Sequence, residues 1–442
     1  MNKSKIACIA ALLSTSALHA QQTELKRMAV ISDVHFMAPS LLIKDGKAFQ
    51  TYIANDRKML QESPELLDSV SKHIIAFRPQ VVLITGDLTK DGEKISHELL
   101  INNFLAPLKA LGIHLFVIPG NHDVNNPHAK IYDGNSIRHT TTVSPKDFAQ
   151  LYLDYGYGEA LAQDSYSLSY VAQLDEHTRL IAVDACRYED NDFDNDICVT
   201  AGRIKPQTMS FIKREAEKAH KQGMQVMMMM HHGIVSHFDW QDKIMKEYLV
   251  SHWKREARQL AGMGIKVCFT GHFHAQDISQ KYGLTDIETG STVSYPHPYR
   301  LIEVKPDKGT LQIQSGHITA LTSMLHSPET LQQKSERFAT SALSCVMENM
   351  VPPKVPAEVK NECAQVLGEA YAMHLAGDEH PSADFRLRLK KAVRHLRHYS
   401  WKWAFIMSKI GKHLSTDTGV ADNSTCINYK YSGKKNDVPN QQ

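Results

Sequence analysis

Residues 114–123 read HLFVIPGNHD. The run 114–119 is apolar and β-prone, and it stops at Gly120, Asn121, His122 and Asp123. A short apolar run closed by turn residues reads as a buried strand, with the polar residues forming the loop at its carboxyl end. The same arrangement recurs on both sides. Upstream, MAVIS (28–32) leads to Asp33 and His35, and VVLIT (81–85) leads to Gly86 and Asp87. Downstream, MQVMMMM (224–230) leads to His231 and His232, and GIKVCFT (264–270) leads to Gly271, His272, Phe273 and His274. Between the first three strands, 62–77 places Leu66, Leu67, Val70, Ile74 and Ile75 on one helical face, and 93–111 reads as a second helix. This β-α-β-α-β order predicts an α/β architecture with mostly parallel inner strands. Paired strands are expected around 165–185, a helix over 206–222 and mostly helix over 239–261. TDIETG (285–290), YRLIEVKP (299–306) and TLQIQSG (310–316) read as short antiparallel strands.

Ligands of open α/β sheets gather at the carboxyl ends of the strands. Five polar clusters in that position therefore imply one shared site. An Asp after one strand means little, and a single Gly-Asn-His-Asp is an ordinary turn. Five such clusters in order are not explained by turn chemistry. Imidazoles with carboxylates suit zinc, iron or manganese, whereas magnesium and calcium favour more oxygen. Asp33 and His35 can turn toward one ion after the strand bends. Asp87 has two oxygens and can bridge two ions, and Asn121 adds a neutral carbonyl. Two metals about 3.5–4 Å apart can stabilise both the attacking and the departing oxygen of an in-line displacement at phosphorus.

In order, the motifs are DVH (33–35), GD (86–87), GNHD (120–123), HH (231–232) and GHFH (271–274). This series resembles the calcineurin-like metallophosphoesterase superfamily, whose pattern is D-x-H, GD, GNH(D/E), H, GHxH, over roughly residues 27–305. The resemblance implies a four-layer αββα sandwich with its site at the sheet edge. It implies one metal on Asp33, His35, Asp87 and His274, and a second on Asp87, Asn121, His231 and His272. The metals would be divalent or mixed-valence, with iron, manganese or zinc as occupants. His122 resembles the non-ligand histidine that contacts the phosphate and aids the leaving group, with Asp123 expected to orient it. Asn121 is expected to touch substrate as well as metal. Alignment with the family makes His231 the ligand of its pair, which leaves His232 either behind the ligands or facing substrate.

Longer stretches narrow the resemblance. HFMAPSL (35–41), AFQTYIANDRKMLQ (48–61), GDLTKDGEKISH (86–97) and VIPGNHDVNNP (117–127) resemble exported bacterial members of the cyclic-nucleotide phosphodiesterase group. Those proteins carry an additional C-terminal helical domain. The expected reaction is hydrolysis of a small phosphodiester, with a 3′,5′-cyclic nucleotide as the leading candidate, by in-line attack of a metal-bridging hydroxide. The alternatives are a phosphomonoesterase and a phospholipid-type diesterase, with a non-catalytic binding module behind both. Tyr132, Tyr188 and Phe238 lie near motif-bearing loops and are candidates to stack on a base.

The rest of the chain sets the context. Residues 1–20, MNKSKIACIAALLSTSALHA, have the basic start, apolar centre and small-residue end of a secretory signal peptide, so a periplasmic or secreted protein starting near Gln21 is expected. No later run reaches about 18 apolar residues, so no transmembrane anchor is expected. The formal net charge of the 442 residues is +2, which gives no broad electrostatic case for a nucleic-acid polymer. The expected domains are the signal peptide (1–20), the metallophosphoesterase domain (21–320) and a helical C-terminal domain with a polar tail (321–442). Helices are expected there over 329–349, 357–375 and 382–410. RLRLKKAVRHLRH (386–398) reads as a solvated basic helix face. Met227 to Met230 read as core rather than as a soft-metal site. Of seven cysteines, Cys186 and Cys198 flank an acidic loop that a disulfide would staple, and Cys345 and Cys363 flank a turn they could bridge, whereas Cys268 reads as a buried thiol.

Overall fold

The apolar runs become the inner strands of two stacked sheets. The computed structural model describes residues 24–433 apart from 55 and 418, and does not describe the side chains of 342–350. The expected signal peptide, 1–20, and the end of the expected polar tail lie outside the described residues.

The first sheet has six strands in the order Ser424–Asn428, Thr310–His317, Pro298–Lys305, Arg27–Ile31, Val81–Ile84, His114–Val117. Its last three strands are parallel, with Val30 opposite Leu83 and Leu83 opposite Phe116. That register brings the tips after Ile31, Ile84 and Val117 to one edge. The second sheet has seven strands in the order Asp277–Lys281, Leu284–Glu288, Val267–Thr270, Gln225–Met230, Thr178–Val183, Tyr170–Gln173, Ala162–Gln163. Its four central strands are parallel and bring the tips after Met230 and Thr270 to the same edge.

The methionine run shows how the layers stack. Side chains alternate across a strand. Met227 and Met229 join the core between the sheets, with Val30, Leu83 and Phe269. Met228 and Met230 join the outer core, with Phe211 and Ala216 of helix Pro206–Lys221 and Leu260 of helix Trp253–Gly262. On the far side, helix Ser63–Phe77 buries Leu66, Leu67, Val70 and Ile74 against the first sheet. The result is the expected αββα sandwich.

Helix 93–111 is helical throughout, but Ile101–Leu105 is a π turn between Lys94–Leu100 and Ala106–Ala110, just before Pro107, whose missing N–H disrupts the ladder. The expected helix over 239–261 starts only after Trp240, at a left-handed φ of 79°, and breaks into Gln241–Ile244, Lys246–Tyr248 and Trp253–Gly262, where Met245 turns out of the helix at φ −141° and His252 turns left-handed at 60°. The helix expected over 382–410 divides into Ala383–Arg397 and Trp401–His413, each started by a serine side chain, Ser382 and Ser400, accepting a backbone N–H.

The C-terminal region adds a strand to its helices. Strand Ser424–Asn428 returns to the catalytic sheet and pairs antiparallel with Thr310–His317, Ile427 opposite Leu311. Ile427 is the buried residue of this strand, and its short, mostly polar neighbours give little strand signal. Among the described residues, no helix is long and apolar enough to cross a membrane.

Cys186 and Cys198 are free thiols rather than a staple: Cys186 Sγ faces the Pro119 carbonyl at 3.4 Å and Cys198 Sγ the Asn121 carbonyl at 3.5 Å. Each is engaged by a different carbonyl of the loop that carries Asn121. Cys363 is also free, and the Cys345 side chain lies outside the described residues. Cys268 is buried in its strand, as expected.

Candidate metal centre

Each motif bends as its strand ends, and the bends are tied to one another. Asp33, His35, Asp87, His272 and His274 all have positive φ, 48°, 37°, 48°, 78° and 73°. Non-glycine residues avoid that region, and holding them there costs about 1–3 kcal/mol each, so the surrounding structure must over-determine the shape. It does so by loop-to-loop bonds. Asp33 N–H donates to the Gly86 carbonyl at 3.1 Å, and His35 N–H to the Asp87 carbonyl at 2.9 Å. Gly271 N–H donates to the His231 carbonyl at 3.0 Å, and His272 N–H to Asp33 Oδ2 at 2.9 Å. Gly120 and Gly271 allow close approach: a Cβ on Gly120 would overlap the Asp87 carboxylate, and one on Gly271 would overlap the side chains of Ser32 and Asp33.

The side chains of the expected ligands converge. Ligand atoms of Asp33, His35, Asp87 and His274 lie within 4.8 Å of one another, and so do those of Asp87, His231 and His272. Asp87 belongs to both groups. Its Oδ2 is 3.6 Å from His35 Nε2 and 3.3 Å from His231 Nε2. Asn121 Oδ1 joins the second group, 3.2 Å from His231 Nε2.

Backbone partners fix which nitrogen faces inward. His231 Nδ1–H donates to the Thr85 carbonyl at 2.8 Å, leaving the Nε2 lone pair toward Asp87. His272 Nε2–H donates to the Glu247 carbonyl at 3.3 Å, which leaves Nδ1 as its lone pair. Two imidazole nitrogens, His35 Nε2 and His274 Nε2, stand 3.2 Å apart. Asp33 Oδ1 is buried with no hydrogen-bond partner although His274 Nε2 is 3.2 Å away. Lone pairs aimed at a common point, with a carboxylate oxygen unbonded beside them, are what cations require. The donor set therefore fits two metal ions.

The electrostatics agree with that fit. Burial, then Lys58, pushes the His35 imidazole well below its usual range. Burial, then His232 and His231, does the same to His272. Burial lowers His274 to about 4 against the pull of Asp33, with Arg57 and Lys58 adding to the lowering. Neutral imidazoles are the ligand form. Burial would lower His231 too, but Asp87 and Asp33 lift it to about 9. The carboxylates at this point draw positive charge toward themselves.

His122 stands apart from these groups. Its side chain is 25% exposed, against 2% or less for Asp33, His35, Asp87 and His231. Its Nε2 is 3.9 Å from Asp87 Oδ2, and its Nδ1 is 2.7 Å from Asp91 Oδ1. The carboxylate that orients His122 is thus Asp91, not Asp123. Asp123 points away from His122, accepting from Gly120 N of its own loop at 2.7 Å and, from the loop after Val81–Ile84, from Leu88 N at 3.0 Å and Thr89 N and Oγ1 at 2.9 and 3.0 Å. Burial would raise the Asp91 carboxyl, but contact with Lys90, then His122, holds it below the ordinary carboxylate range. Lys90 is itself held over the rings of Tyr52 and Tyr132.

His232 does not face substrate either. It is fully buried, its Nε2 donates to the Thr200 carbonyl at 2.9 Å, and its ring packs behind His231 and His272 with centroids 5.2 and 4.3 Å away. The three aromatic candidates are also committed elsewhere. Tyr132 is buried against Phe49 and Tyr52, Phe238 against Phe273 and His374, and Tyr188 donates to Asp184 at 2.9 Å. Sequence reasoning missed Asp91, although GDLTKDG displays it four residues after Asp87. It also missed Arg57 and Lys58, which sit in a stretch without motif character.

The sequence profile described as "Calcineurin-like phosphoesterase" matches residues 26–276, more than half of the chain. Among solved structures, a dimetal phosphatase from Danio rerio is similar at 14% identity, covering 66% of this chain and 96% of that one, with a TM-score of 0.47. A purple acid phosphatase from yellow lupin (Lupinus luteus) seeds is similar at 10% identity, covering 67% of this chain and 52% of its own, with a TM-score of 0.43. No curated protein matches the chain. The profile spans every strand-end motif that builds the cradle, from Asp33 to His274, and the chain belongs to the calcineurin-like phosphoesterase family.

Proposed function

We propose that the protein is an exported binuclear-metal phosphodiesterase, with 3′,5′-cyclic nucleotides as its leading substrates. One metal is held by Asp33, His35, Asp87 and His274, and the other by Asp87, Asn121, His231 and His272. The observation that supports this most is Asp87 Oδ2 lying between His35 and His231, each of a different ligand group. A bound metal pair supplies a nucleophile competent near neutral pH and offsets charge on the phosphoryl oxygens. The chain's own residues do the rest. Asn121 and His122 meet the substrate at the open side of the cradle. Against burial, Asp87 and Asp91 raise the His122 imidazole above its ordinary range, so it holds a proton on each nitrogen: Asp91 accepts from Nδ1–H, and Nε2–H faces the site and gives its proton to the departing oxygen.

The diester preference is argued from position: the stretch after His35 and the loop after Asp123 follow directly on site residues and could contact the second substituent of a diester. The second reading is a phosphomonoesterase, favoured by one observation. The charge of Lys58 is felt at His35, His122 and His274, and a cation there suits a dianionic phosphate. The deciding experiment compares kcat/KM on cyclic nucleotides, bis-aryl phosphodiesters and nucleoside monophosphates with metal-loaded protein. Diesters are expected to lead. A preference for monophosphates above about tenfold, or ~1.4 kcal/mol of transition-state stabilisation, reverses the assignment. Turnover of the aryl diester alone keeps the reaction class and removes the nucleotide. Export rests on residues 1–20, and N-terminal sequencing of the periplasmic or secreted protein should begin at Gln21.

A further inference from the structure

A second group of metal-type side chains lies away from the sheet edge, at the seam between the second sheet and the C-terminal helices. Asp277 is on the strand Asp277–Lys281, His374 is on the helix Ala357–Ala376, and Glu379 follows that helix. Their ligand atoms lie within 4.8 Å of one another, the same span as in the two groups at the sheet edge. All three are buried, His374 to 1% exposure, Glu379 to 5% and Asp277 to 7%.

Two donor atoms in this group have no partner. His374 Nδ1 faces Glu379 Oε1 at 2.6 Å, while His374 Nε2 and Glu379 Oε2 are buried and bonded to nothing. Leaving such atoms unsatisfied is costly unless something else engages them.

The surroundings are short of positive charge. Around the seam, Asp277, Asp286, Glu288, Glu379 and Asp422 are all buried, against one buried guanidinium, Arg300, two buried imidazoles, His237 and His374, and the partly buried amine of Lys281, which bonds the Ser236 carbonyl. His237 is half engaged: its Nδ1 contacts Asp277, whereas its Nε2 lies 3.2 Å from Glu288 and 3.4 Å from Asp286 without a hydrogen bond. Arg300 spends its donors on the carbonyls of Asp422 and Glu288. Burial, against the opposing pull of His237, pushes Glu288 up to about 8, and burial together with Asp277 does the same for Asp422. A buried carboxylate with so few cations around it takes up a proton, as at Glu288 and Asp422, or a metal.

We propose that Asp277, His374 and Glu379 form a third, structural site for a divalent cation of the zinc class. One imidazole and two carboxylates match that ion's donor preference. The ion joins the catalytic domain to the C-terminal helices and secures the loop that carries the sheet-edge ligands. Phe273, between His272 and His274, packs against Tyr371 and His374 of the same helix at 6.1 and 5.5 Å, and Glu288 accepts from Ala275 N at 3.3 Å.

The test uses full-length protein loaded with zinc and freed of excess ion. Elemental analysis is expected to give three zinc per chain in the wild type, and two in His374→Ala and in Glu379→Gln. Asp87→Ala is expected to keep one. Zinc-edge anomalous diffraction on wild-type crystals covers the case of a variant that does not fold, and a third peak enclosed by Asp277, His374 and Glu379 is expected. Two zinc in the wild type with the count unchanged in His374→Ala, or peaks at the sheet edge alone, would overturn the proposal. A peak at Asp277 with none at Asp87 would uphold it while removing the binuclear reading, so the two claims fail separately.

Discussion

His122 meets the substrate side with its Nδ1 held 2.7 Å from Asp91 Oδ1, and two carboxylates lie close enough in the chain to have done this. Asp123 follows His122 in the chain, and adjacency made it the natural partner. In a tight turn, however, neighbouring side chains diverge. Asp123 turns inward and uses both oxygens on backbone donors, whereas Asp91 arrives from another strand end and meets His122 at 2.7 Å. The metal-type residues were legible because their chemistry is scarce and their spacing regular. The partner of His122 was not, because either carboxylate satisfied the same pattern. The two should separate in kinetics. His122→Ala is expected to keep its full metal complement and lose about 100- to 10,000-fold in kcat. Asp91→Asn should also keep its metals and lose less, because it removes the tautomer control but not the imidazole. Asp123→Asn should act mainly on stability. Metal content, kcat and thermal midpoint for the three variants check this ordering. Metal loss from His122→Ala would make His122 a ligand.

Among the elements, the parallel strands were the most legible part of the molecule. The Met227–Met230 run was read as core, and its residues divide between two cores as strand alternation demands. The helices on the periphery were less legible, since left-handed Trp240 and His252 carry no marker such as glycine. The helix Lys94–Leu100 gives a prediction that rests on packing. It fastens the loop of Asn121 through His97, whose Nε2–H donates to the Asp123 carbonyl at 3.1 Å while Nδ1 accepts from Tyr152 at 2.7 Å. Burial pushes the His97 imidazole down to about 4. The unfolded chain titrates near the ordinary value of about 6.5, so it takes up this proton first as the pH falls. The contribution of His97 is complete above pH 6.5 and is lost between there and pH 4. By pH 4.5 the loss is roughly 2–3 kcal/mol. Urea unfolding at pH 7 and pH 4.5 checks this. His97→Gln, which cannot be protonated, should show a smaller difference between the two conditions than the wild type. An equal difference would place the acid sensitivity elsewhere.

Across the whole molecule, the C-terminal helices reach the catalytic cradle, a contact that no motif announces. Tyr371, on the helix Ala357–Ala376, bonds Arg57 through its hydroxyl and lies under the guanidinium, whose carbon is 5.8 Å from the ring centroid. Arg57 and Lys58 in turn oppose protonation of His274 at the sheet edge, after burial itself. The segment carrying them is anchored beside that histidine: Met59 N–H donates to the Val293 carbonyl at 2.7 Å, and the neighbouring Ser294 hydroxyl is 3.2 Å from His274 Nδ1. Two added cations near a metal pair should discriminate by substrate charge. A second negative charge about 6 Å from a cation, at an effective dielectric constant near 20, is worth roughly 3 kcal/mol before screening. A monophosphate carries that charge near neutral pH, whereas a diester does not. Arg57→Ala and Lys58→Ala should therefore lower kcat/KM for a nucleoside monophosphate at least tenfold more than for a bis-aryl diester. Tyr371→Phe should show a weaker form of the same bias, since it leaves Arg57 charged but removes its hydrogen-bond partner. Much of the change should fall on KM, because the cations meet the ground-state phosphate as well as the transition state. If instead all three variants lower both substrates equally, Arg57 and Lys58 hold the segment in place and do not sense charge. The wild-type preference would then have to come from the shape of the segments after His35 and Asp123.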